Sequence, residues 1–131
     1  MKLHHRLLVA GLVVILTTLT TMVTSLDWSA NVAPKGLLLL VGWPLVPLIL
    51  PTAFGCAFRA SRAAVISCFA GLLAAFGLMA FLYIYAFKIA PDPQGGLIIL
   101  FGPVYALLVL VPFGIAAIWC FARRDRPDAK T

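Results

Sequence analysis

Residues 36–58 read GLLLLVGWPLVPLILPTAFGCAF, a stretch without a single Lys, Arg, His, Asp or Glu. Crossing ~30 Å of hydrocarbon at 1.5 Å per residue takes about 20 mostly apolar residues, so this stretch reads as a membrane span. Three prolines punctuate it. Pro44, Pro47 and Pro51 are spaced i, i+3, i+7 and fall on one face of a 3.6-period helix. Each lacks an N–H and deprives the carbonyl four residues earlier of its helical partner. Those carbonyls belong to Leu40, Trp43 and Pro47, and in hydrocarbon each must find another donor.

Working outward, three more runs of the same kind appear at 7–26, 63–87 and 97–121, again with no charged residue or histidine inside them. The whole chain of 131 residues is 63% hydrophobic and 11% charged, with ten Lys and Arg, four Asp and no Glu. Soluble domains carry roughly 25% charged residues. So few charges cannot coat this much apolar mass, which excludes a soluble enzyme, a nucleic-acid-binding module and a disulfide-stapled secreted domain. The expected architecture is all-α: one integral membrane domain, an antiparallel up-down bundle of four transmembrane helices, followed by a polar tail at 122–131.

Orientation follows from the cations. Lys2, Arg6, Arg59, Arg62, Arg123, Arg124, Arg126 and Lys130 lie at one set of span ends, and only Lys35 and Lys88 at the other. Both termini are therefore expected in the cytoplasm, in an arrangement suited to a bacterial inner membrane. Trp28, Phe81, Tyr83, Tyr85 and Phe87 would mark the outer interface, and Trp119 and Phe121 the inner one. Ser61 is expected to cap the third helix, and Asp92 with Pro93 to open the fourth. The first run also has the basic start of a secretory signal. Its apolar part is longer than the about 7–15 residues of such signals, so it is read as a retained span.

Donors for the proline-freed carbonyls are expected on the first helix, which carries Thr17, Thr18, Thr20, Thr21 and Thr24. A hairpin turning near 30–31 would set Thr17 level with Pro44. Trp43 and Tyr105 each lie about 12 Å inside an outer helix end by helical rise, and each has a polar atom that seeks a partner when buried. Thr17, Thr20, Thr21, Trp43, Pro44, Pro47, Pro51 and Tyr105 thus form a candidate neutral polar cluster. Either it is satisfied internally or it lines a cavity for water, lipid or a small neutral ligand, since interrupted helices mark binding sites in transporters. Pro103 and Pro112 free the carbonyls of Ile99 and Leu108 in the same way.

Ser67, Gly71 and Ala75 form a small-xxx-small stripe on the third helix, expected to be a close-packing seam within the chain or against another subunit. Arg123, Arg124 and Arg126 are expected at anionic lipid headgroups, where each charge contributes ~1 kcal/mol. Cys56, Cys68 and Cys120 fall toward the cytoplasmic side with His4 and His5. They lack C-x-x-C spacing and read as inert thiols and interfacial imidazoles rather than a metal site. The loop from Lys88 to Gly96 reads as a tight turn with a helix cap, although its free N–H groups have the geometry to hold an anion.

A charge within a span costs at least ~2.5–3.5 kcal/mol on insertion scales, and this chain has none. Proton-coupled transport through a membrane carboxylate is therefore disfavoured. The likeness to four-span small multidrug transporters stops at length, because their first helix carries an acid. Quinone-linked thiol oxidoreductases need paired cysteines, and bis-histidine haem proteins need histidines in their spans. Neither catalytic nor metal residues are expected, and no cofactor is implied. The expected function is that of a non-catalytic accessory subunit packing against a membrane protein, a second copy or lipid. The alternative is a small transporter or channel for a neutral solute along the kinked second helix.

Overall fold

A computed structural model describes residues 3–25, 41–89 and 95–124. They form four helices packed together: α1 (Leu3–Ser25), α2 (Val46–Ala57), α3 (Arg62–Ile84) and α4 (Gly95–Arg124). A 3₁₀ turn, Trp43–Leu45, leads into α2, and a π turn, Tyr85–Ile89, follows α3. Trp28, Lys35, the proposed hairpin at 30–31, the Asp92–Pro93 cap, Arg126 and the rest of the tail lie outside the described residues.

Three of these helices, α1, α3 and α4, are long and apolar enough to cross a membrane. The second helix lies within the span expected at 36–58: its described part is the shorter apolar segment Trp43–Ala57, residues 36–40 lying outside the described set. Proline changes the bonding at its start. The Trp43 carbonyl, which Pro47 cannot serve, accepts instead from the Val46 N–H. The chain tightens into an i+3 bond just where the i+4 donor is missing, which is the 3₁₀ geometry.

The α2–α3 connection is a tight reversal. Phe58 N–H donates to the Phe54 carbonyl at 2.8 Å, and Ser61 N–H to the Phe58 carbonyl at 2.9 Å. Ser61, extended at φ −109° and ψ 112°, accepts the Ala64 N–H on its side chain. This is the N-cap expected from the sequence, and it satisfies one of the donors that a helix start leaves open.

Side-chain register shows that neighbouring helices run antiparallel. A Cβ on Gly55 would meet Leu7, and one on Gly11 would meet Thr52, so α1 and α2 pair in opposite directions. Ser67 bonds to Phe113 while Gly71 faces Leu110 and Phe113, giving the same relation for α3 and α4. The core is small: Leu7, Leu48, Leu72 and Val65 are each under 2% exposed, with Ala64 and Ala117 at the crossings. By contrast Val13, Leu16, Leu108, Ile115 and Ile118 are all more than half exposed. An apolar outer surface this extensive is a liability in water and the ordinary state of a helix in lipid.

Candidate functional site

The proline helix is tied to α4 at its start. Pro44, Pro47 and Pro51 are all buried, and Trp43 points its indole N–H at the Leu100 carbonyl, 2.8 Å away. A second tie lies further along α4, where the Ser67 hydroxyl donates to the Phe113 carbonyl at 2.9 Å. Both acceptors sit within three residues of an α4 proline, Pro103 or Pro112. Trp43→Phe and Ser67→Ala are each expected to lower stability against denaturant by about 0.6 kcal/mol, the average for such bonds in a membrane protein. Unfolding in mixed micelles measures it.

The threonines do not supply the donors expected of them. A hydroxyl has one proton to give, and each of these gives it to its own helix. Thr17 donates to Val13, Thr18 to Val14, Thr20 to Leu16 and Thr21 to Thr17, all at 2.8 Å. Thr24 donates to Thr20 at 2.9 Å. The i−4 carbonyl is always within reach of a helical threonine, and a neighbouring helix is not. Tyr105 is 56% exposed on the outside of α4, so it does not join Trp43 and the prolines in the interior. What the structure gathers is Trp43, the three prolines and the Leu100 backbone.

The Ser67, Gly71 and Ala75 stripe faces the chain's own α4 at its first two positions. Gly71 is buried with Leu110 and Phe113 at 3.1 Å from where its Cβ would stand. Ala75 is fully buried. The two close contacts of α1 with α2, Gly11 to Thr52 and Gly55 to Leu7, were not singled out from the sequence. Lone glycines within apolar runs are the signal for such approaches, and both were present.

Of the surface hollows that accompany this packing, three bear on the site. An apolar groove of about 200 Å³ lies among α2, α3 and α4, lined by Leu50, Phe54, Phe58, Leu107, Gly114 and Ile118 among others. A shallower hollow of about 440 Å³ adjoins it through Ile118 and ends at Trp119 and Arg123. The third, about 210 Å³, lies between α1 and the far end of α3, with Thr17, Thr18 and Thr21 on one wall and Phe76 and Tyr83 on the other. The Arg123 guanidinium stands 4.8 Å from the centre of the Trp119 ring, a cation–π distance. Arg6, Arg59, Arg62 and Arg123 are all exposed, and the helix register places them at one end of the bundle. Cys56, Cys68 and Cys120 are free thiols, and His4 and His5 stack at 4.3 Å. Among the described residues no three His, Cys, Asp or Glu side chains gather as a metal site would require.

These features define a helical bundle with three candidate membrane-spanning helices among the described residues, which suggests a membrane location. Compared with known families, curated proteins and solved structures, it matches none.

Proposed function

We propose that this is an integral protein of a bacterial cytoplasmic membrane, spanning it four times with both termini inside. In this reading it is a non-catalytic accessory subunit that packs against protein or lipid. The observation that carries the reading is the exposed surface of α4 along its length, and of α1 as far as Leu16, which is built from large apolar side chains. Support for the fourth crossing comes from the sequence 36–58, which carries no charge and contains the apolar Trp43–Ala57 helix. Support for the orientation comes from the eight cations on the side of the termini and the 59–62 turn, against two on the other. The buried, packed prolines favour a structural role for the kink over a solute path beside it.

Topology labelling tests this directly. In a chain with Cys56, Cys68 and Cys120 replaced by serine, Lys2→Cys and Thr131→Cys are expected to react with a membrane-impermeant maleimide only after permeabilisation. Asn31→Cys and Gln94→Cys are expected to react in intact cells. Labelling of the two termini from opposite sides overturns the four-span reading. A native mass equal to one 14.1 kDa chain with no protein or lipid attached overturns the accessory role.

A further inference from the structure

We infer that the groove among α2, α3 and α4 holds one acyl chain of an anionic phospholipid from the arginine-side leaflet, with its headgroup at Arg59, Arg62 and Arg123. The inference rests on the membrane reading above and names the ligand of this surface. Three observations meet here. The groove is apolar and passes along α4 from Leu107 to Ile118. Those twelve residues rise about 16 Å, the depth of one leaflet of a ~30 Å hydrocarbon core. Its lining is therefore matched to a chain entering from one surface rather than to a helix crossing the whole bilayer.

The second observation is where the groove ends. Phe58 packs against Phe121 with the rings tilted and their centres 4.9 Å apart, and the next residue, Arg59, is exposed. The neighbouring hollow, which shares Ile118, is lined by Trp119 and Arg123, so the apolar slot lies next to a cationic rim. The third is charge balance. Arg6, Arg59, Arg62 and Arg123 are exposed at this end, and no Asp or Glu is present among the described residues. Guanidinium groups fit phosphate oxygens with two parallel hydrogen bonds, and Trp119 beneath Arg123 suits the headgroup level. A zwitterionic lipid would offer the same chain but no net negative charge to this rim.

The experiment is native mass spectrometry of the full chain in mild detergent, with equal amounts of phosphatidylglycerol and phosphatidylcholine of identical acyl chains. Phosphatidylglycerol is expected to dominate the bound population. Arg59→Gln and Arg123→Gln are each expected to lower its occupancy about fivefold, the worth of one surface charge. Gly114 lines the groove and has nothing within 4 Å of a built Cβ, so Gly114→Leu is expected to fill the slot and release both lipids while the bundle stays folded. Equal retention of the two lipids, or undiminished binding in Gly114→Leu, overturns the inference. So does a dimer that Gly114→Leu dissociates, which would make this face a contact between copies. Should Gly114→Leu not fold, the two exposed arginine variants decide alone. Lipid indifference in a protein that requires detergent defeats only the lipid site, whereas a folded, monodisperse chain without detergent defeats the membrane reading itself.

Discussion

Gly71→Leu is expected to cost about 3 kcal/mol of stability or more, the upper end of what overpacking a filled interior does. Its Cβ would already stand 3.1 Å from the Cβ of Phe113 and from Cδ2 of Leu110. The leucine methyl on Leu110 can rotate away. The Phe113 Cβ cannot, because it is fixed to the α4 backbone beside Pro112 and moves only if the helix moves. That displacement would also stretch the Ser67 to Phe113 hydrogen bond one turn away. The control lies on the same helix: Gly77 is exposed with nothing within 4 Å. Gly77→Leu is expected to change stability by no more than about 0.5 kcal/mol. Reversible unfolding in mixed micelles of both variants is the measurement, and equal stabilities would mean that α3 and α4 do not pack at this seam.

Gly11→Ala is expected to produce the second large effect, about 1–3 kcal/mol for a single added methyl group. The new carbon would fall 2.7 Å from the Thr52 Cγ2 and closer still to its Oγ1. Thr52 has little freedom to withdraw. It is β-branched, which restricts its side-chain torsion, and its hydroxyl donates to the Leu48 carbonyl at 3.0 Å. Thr52→Ala in the same chain removes both colliding atoms and is expected to restore most of the loss. A double-mutant cycle reads this as a coupling well above 0.5 kcal/mol, the scale for residues in contact. Additive effects would show that α1 does not approach α2 here.

Much of the candidate site was legible in part only. That helical bonding changes at Trp43 follows from Pro47, since the missing N–H of proline is a property of the residue itself. Which group answers the failure was not legible. Val46 and the 3₁₀ turn answer for Trp43, and threonine hydroxyls, which looked like free donors, close on their own helix. Intrahelical bonding is available at every threonine whatever the fold, so its presence in the sequence says nothing about a partner helix. Tyr105 fails for a related reason: depth along the helix is countable, but rotation about its axis is not.

The amino-acid sequence alone marked four apolar runs that suit a bilayer, three of which are long helices in the structure, and it marked Ser61 as a helix start and the gathering of cations at one set of span ends. All of these are local or additive properties of residues. The tertiary structure alone decided which faces turn inward, that α1 and α2 approach closely at Gly11 and Gly55, and that Trp43 and Ser67 both reach carbonyls of the last helix. The physical reason is that lipid offers no contrast between inside and outside. In water a helix declares its buried face by being apolar there. In hydrocarbon every face is apolar, and only the shape of side chains and the few available hydrogen bonds choose the neighbour.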